Sequence, residues 1–178
     1  TYVVFGKADG AAIDLSDVES GTGGFAINGL SAFDNSGWSV SNAGDVNGDG
    51  LADVIVGAPF TDIDTSLSGS LSGSAYVVFG KPDGTAVELR DVLAGNGGFA
   101  FIGDDGREQL GRSVSGAEDI NGDGYDDLII GSGDGGLGIN KVFVVFGRAD
   151  GVPVDQDAIE AGIGGFIITA AQSADDLG

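Results

Sequence analysis

The chain has 178 residues, 28 of them acidic and 7 basic, for a formal net charge of −21, and it contains neither Cys nor His. That balance makes nucleic acid and anionic membranes poor partners, and the missing residues exclude disulfides, thiolate chemistry, Ser-His-Asp or Cys-His nucleophiles and the usual zinc sites. No run approaches the ~20 apolar residues of a transmembrane helix, so no membrane insertion is expected.

The sequence opens on Tyr2-Val-Val-Phe-Gly-Lys-Ala-Asp-Gly10, a β-branched and aromatic run ending in an Asp-Gly step. It reads as a strand followed by a reverse turn. The acidic stretch 15–19 is compatible with one turn of helix, and Gly23-Gly-Phe25 opens a second strand. Four strand-like runs follow at 38–43, 54–57, 75–79 and 98–102, each bounded by Gly, Asn, Asp or Ser. We call them strands A, B, C and D. A second helical turn fits 89–93, and a longer Ser/Gly-rich loop at 61–73 separates B from C.

These elements recur. The opening motif returns as Tyr76-Val-Val-Phe-Gly-Lys-Pro-Asp-Gly84 and as Phe143-Val-Val-Phe-Gly-Arg-Ala-Asp-Gly151, while Gly23-Gly-Phe25 returns at Gly97 and at Gly164. From Phe5 to Phe79 is 74 residues and from Phe79 to Phe146 is 67; the loop 132–140 is shorter than 61–73 and takes up most of the difference. Four antiparallel strands repeated at this interval fit propeller blades better than solenoid coils, whose periods are shorter. With no initiator Met or signal peptide, and a pattern that starts and stops inside a repeat, the chain reads as a piece of a longer protein.

Between strands A and B lies Asp45-Val-Asn-Gly-Asp-Gly-Leu-Ala-Asp53, and 74 residues later Asp119-Ile-Asn-Gly-Asp-Gly-Tyr-Asp-Asp127. Calcium takes six to eight oxygens at about 2.3–2.6 Å in forgiving geometry, so alternate side chains of one curled loop can share an ion. The candidate ligands are Asp45, Asn47, Asp49 and Asp53, then Asp119, Asn121, Asp123 and Asp127, with backbone carbonyls from Leu51 and Tyr125: two Ca2+ per chain. An EF-hand would place Glu at the twelfth position, where this chain has Val56 and Ile130, and a helix where it has strand-like runs. The alternative is an ordinary Asx-rich turn. Three carboxylates in nine residues with no Lys or Arg among them favour the metal.

The chain resembles FG-GAP repeats, the blades of the integrin α-subunit propeller, and long calcium-binding FG-GAP proteins of bacteria. Gly57-Ala-Pro59 matches the GAP element, the Asp-x-Asn-x-Asp-Gly-x-x-Asp loops match the calcium cage, and Gly37-Trp-Ser-Val40, Gly111-Arg-Ser-Val114 and Leu177-Gly178 match the start of strand A. It departs at Gly131-Ser-Gly133, which replaces the second Gly-Ala-Pro. The resemblance implies an all-β fold of four-stranded propeller blades, about two and a half of them: a half blade (strands C and D) at 1–29, full blades at 34–102 and 108–170, and the start of another at 171–178. It also implies structural calcium in the A–B loops, on the face opposite the 61–73 and 104–109 loops where integrin-like ligands sit. The recurring Phe5, Phe79, Phe146, Phe25, Phe99 and Phe166 are expected between blades, and Trp38, with Arg112 at the equivalent place, is expected to be packed only in part.

The functional expectation is a secreted or cell-surface module, not an enzyme, that acts in adhesion or protein interaction. Its partner would be an extracellular protein or glycan, with self-association as a route to a closed ring. A lectin-like propeller and a non-catalytic module of a secreted enzyme are the alternatives.

Overall fold

A computed structural model describes residues 1–62, 72–104, 108–133 and 141–169. Its strands are β1 (Tyr2–Val4), β2 (Gly24–Asn28), β3 (Ser39–Gly44), β4 (Asp53–Ala58), β5 (Ser74–Val78), β6 (Val87–Glu88), β7 (Gly98–Ile102), β8 (Ser113–Glu118), β9 (Asp127–Gly131), β10 (Lys141–Val145), β11 (Val154–Asp155) and β12 (Gly165–Thr169). Three short helices, α1 (Leu15–Glu19), α2 (Leu89–Leu93) and α3 (Gln156–Glu160), precede β2, β7 and β12. Most of the 61–73 and 132–140 loops, the middle of 104–109 and the whole of 171–178 lie outside the described residues.

The chain is mostly β, in antiparallel sheets with these few helical turns. Strands A to D of the central repeat are β3, β4, β5 and β7, a meander in chain order; β8, β9, β10 and β12 repeat it. The first sheet holds only the pair β1 and β2 in antiparallel register.

Register explains why the central strands read as unbroken apolar runs. Ile55, Val77 and Phe99 stand side by side on one face of the central sheet, and Val56, Tyr76 and Ala100 on the other. The first row packs with Leu128, Ile130, Phe143 and Val145 of the third sheet, the second with Phe25 and Ile27 of the first. Both faces are covered, so β5 is buried at every position instead of alternating. Burying a side chain such as Phe99 or Val77 is worth about 1.5–3 kcal/mol, which makes these two layers the main adhesive between sheets.

Two features depart from expectation. Residues 87–88 and 154–155 add short parallel strands to the sheet before their own: β6 pairs with β2 through Ile27 and Val87, and β11 with β7 through Phe101 and Val154. Each repeat therefore covers the last two residues of its predecessor's outer strand. The glycine of the Asp-Gly step also has a tertiary role, because a Cβ on Gly84 or Gly151 would overlap the backbone of Gly21 or Gly95 in the preceding repeat.

The recurring phenylalanines pair edge to face within a repeat, Phe5 with Phe25 at 6.0 Å, Phe79 with Phe99 at 6.2 Å and Phe146 with Phe166 at 6.1 Å. The pair that crosses between repeats is Phe101 with Phe143, at 5.1 Å. Phe25 and Phe99 are buried, whereas Phe166 is 43% exposed, so the expected core role does not extend to it. Trp38 is 53% exposed and rests edge-on against Phe60.

Candidate metal centres

Each acidic loop starts at a bulge. Register slips between Asn42 and Gly44, and again between Gly116 and Glu118, so one extra residue turns strand A into the loop. Gly44 and Glu118 both hold positive φ, at 82° and 55°. Inside the loops Gly48, Gly50, Gly122 and Gly124 take the same left-handed conformation, which a side chain would oppose.

The two loops share one hydrogen-bond pattern. Asp45 accepts from the amides of Asp49 (3.0 Å) and Gly50 (2.9 Å), Asn47 from Asp49 (2.8 Å), and Asp49 from Leu51 (2.8 Å). In the second, Asp119 accepts from Gly122, Asp123 and Gly124, Asn121 from Asp123, and Asp123 from Tyr125. The amide nitrogens of Asn47 and Asn121 donate to Asp49 and Asp123. These are chained Asx turns that curl the backbone, and an ionised carboxylate keeps further lone pairs for a cation.

Asp53 and Asp127 differ from the rest. Both are fully buried at the first residue of strand B. Asp53 accepts from Val46 (2.9 Å) and from Gly80 just after strand C (2.7 Å); Asp127 accepts from Ile120 (3.0 Å) and Gly147 (2.9 Å). Leu51 has no side-chain oxygen and the Tyr125 ring stands beside Gly48, so their backbone carbonyls are the candidates.

Among the described residues no three acidic side chains stand together as a ready-made ligand group, so ligation requires the carboxylates to turn from the loop amides toward an ion. The donor chemistry fits a hard cation: oxygen only, three carboxylates and one amide per loop. Among the described residues no ion pair reaches a loop carboxylate. Burial, then the charges of Asp49 and Asp45, push Asp53 up to about 6, against the pull of the Gly80 and Val46 amides.

That shift has a sign. A carboxyl that holds its proton more tightly when folded contributes stability below its unfolded value of 3.8 and loses that contribution as pH rises through about 6. In chelator, the wild type should therefore lose melting temperature relative to Asp53→Asn across this window, and calcium, which favours the carboxylate, should reverse the trend. Parallel melting curves that keep a constant gap would remove the effect.

The loops also touch each other. The Asp126 carboxylate accepts from the amide of Asp45 (2.7 Å) and the Asp126 amide donates back to the Asp45 carbonyl (3.2 Å). A Cβ on Gly44 would overlap that carboxylate, and one on Gly48 would stand 2.8 Å from the Tyr125 ring. The Arg148 amide donates to the Val46 carbonyl at 2.8 Å.

Both loops fall inside the segments that match the FG-GAP repeat family, residues 36–78 and 110–145. The chain carries FG-GAP repeats. It is similar over part of its length to integrin alpha subunits: 29% identical over 122 residues to integrin alpha-5 of Xenopus laevis (68% of this chain, 10% of that protein) and 38% over 117 residues to integrin alpha pat-2 of Caenorhabditis elegans (61% and 9%). Integrin alpha-3 of Cricetulus griseus is 30% identical over 96 residues, 54% of this chain and 8% of that protein. The chain thus spans about a tenth of the length of these relatives. No helix among the described residues is long and apolar enough to cross a membrane.

Proposed function

We propose that the chain is a calcium-stabilised FG-GAP module of a β-propeller, acting outside the cell or at its surface in adhesion or protein interaction, and without catalytic activity of its own. The observation that carries this reading is the same nine-residue oxygen loop at the same A-to-B position of two consecutive repeats, each within a segment of the family. The blades would run over 34–102 and 108–170, with a half blade at 1–29. Asp45, Asn47, Asp49 and Asp53, with the Leu51 carbonyl, hold one ion; Asp119, Asn121, Asp123 and Asp127, with the Tyr125 carbonyl, hold the other. Bound calcium supplies the positive charge that relieves the carboxylate crowding around Asp53. The loop carboxylates then cross-link the end of strand A to the start of strand B.

Calorimetric titration of the chelator-stripped chain tests this, with two ions per chain expected. Asp49→Ala and Asp123→Ala should each delete one site and lower the melting temperature only when calcium is present, because a ligand that binds the folded state alone stabilises it by about 2.7 kcal/mol at a hundredfold excess over Kd. Equal losses with and without calcium would reduce these residues to turn formers. A glycan-binding propeller is the second reading, favoured by the exposed Trp38 against Phe60 and by Phe33, which is 89% exposed. Retention on a glycan array that Trp38→Ala abolishes would support it.

A further inference from the structure

We propose that the two loops bind calcium cooperatively and that Asp126 is the positioning residue that couples them, an inference that rests on the calcium reading above. The equivalent residue of the first loop is Ala52, and Asp126 is no member of its own ligand set. Its carboxylate instead reaches back 81 residues to the amide of Asp45, the first ligand of the other loop, while its own amide donates to the Asp45 carbonyl. Asp126 lies between Tyr125 and Asp127, two donors of the second loop. Any turn of the backbone that seats an ion in one loop therefore moves a ligand of the other.

A second route joins the two buried carboxylates. Asp53 accepts from the Val46 amide, the Val46 carbonyl accepts from the Arg148 amide, and the neighbouring Gly147 amide donates to Asp127. Val46 is fully buried in the core shared by the two repeats, and a Cβ on Gly147 would overlap the Asp126 carbonyl. The route is thus packed backbone, in which successive contacts sit on adjacent peptides. Ordering one loop fixes both routes in advance for the other, which gives positive coupling, and linkage makes the effect reciprocal.

The test is a thermodynamic cycle by calorimetry on the whole chain with calcium alone. Asp49→Ala reports the second site by itself and Asp123→Ala the first. If the sites are independent, the product of the two wild-type association constants equals the product of these single-site constants. Coupling should make the wild-type product larger by about fivefold or more. In an Asp126→Ala background the ratio should fall at least severalfold toward one, the Val46 route and the backbone contact of residue 126 with Asp45 remaining, whatever Asp126→Ala does to either site alone, since that effect cancels in the cycle. Tyr125→Leu, which copies Leu51, is the second variant and should lower the ratio in the same direction. A ratio of one in the wild type overturns the coupling, and a larger ratio that Asp126→Ala leaves unchanged overturns the role of Asp126; both leave calcium binding standing. No binding in the wild type overturns the calcium reading itself.

Discussion

Asp127→Ala is expected to destabilise the calcium-free protein by about 2–6 kcal/mol, because it orphans two amides at roughly 1–3 kcal/mol each. The amides are those of Ile120 and Gly147, and the carboxylate that accepts them has no solvent exposure. Asp53→Ala should follow it, since Val46 and Gly80 lose the same acceptor. Asp127→Asn rescues little, as its amide nitrogen would face one of the two donors. The carboxylates thus divide by role. Asp49 and Asp123 accept from exposed loop amides that water can satisfy, so their removal is felt only through calcium; Asp53 and Asp127 also fasten strand B to the turn after strand C. Urea unfolding in chelator separates the two classes, and a loss in Asp127→Ala no larger than in Asp49→Ala would refute the division.

Lys141→Met should cost about 3–5 kcal/mol, the penalty for leaving a buried charge without its partner. Lys141 Nζ lies 2.8 Å from Glu108 Oε1 and 2.8 Å from Glu160 Oε1, and Glu108 is only 4% exposed. The buried Gln156 donates to the other Glu108 oxygen at 2.8 Å. Burial works against the charge on Lys141, but the hydrogen bonds and attraction of the two glutamates outweigh it and hold the ammonium above the ordinary lysine range. The cluster joins the segment that leads into β8, the start of β10 and helix α3, so its loss loosens the third repeat internally. The double variant Lys141→Met with Glu108→Gln should recover most of the stability, because no charge is then stranded. Double and single variants melting together would mean that Glu108 is hydrated.

Much of this architecture was readable because local chemistry announces it. Strand D at 98–102 and the helical turns at 15–19 and 89–93 coincide with β7, α1 and α2. Their signals are Gly-Gly-Phe and short amphipathic stretches that act within a few residues. The loops were readable for the same reason, since Asx turns are set by the next two or three positions. What escaped depends on distance or on strain. Two-residue strands such as β6 and β11 have no period to detect. Glu118 in a left-handed conformation contradicts the preference of its side chain, and only its alignment with Gly44 hints at it. Asp126 looks like one more loop acid, and nothing near it in sequence points to Asp45. The repeated phenylalanines were recognised as packing residues, and Phe25 and Phe99 do pack between sheets, but a repeat period does not tell that their ring partners, Phe5 and Phe79, come from the same repeat.

The parallel pairing of β6 with β2 and of β11 with β7 makes the repeat that is seen in sequence different from the unit that is finished in space. A sheet whose four meander strands have all emerged from the ribosome still shows an open row of amides and carbonyls along its last strand, the kind of edge that recruits other chains. The end of that edge is capped only when residues 87–88 or 154–155 of the following repeat arrive. Synthesis would therefore carry one adhesive border forward with it, each repeat shielding the previous one at the moment it becomes exposed itself. A truncation only chooses which edge is open: after strand D it is that strand, and after a β11-like strand it is strand C, since β12 is the strand that pairs with β10.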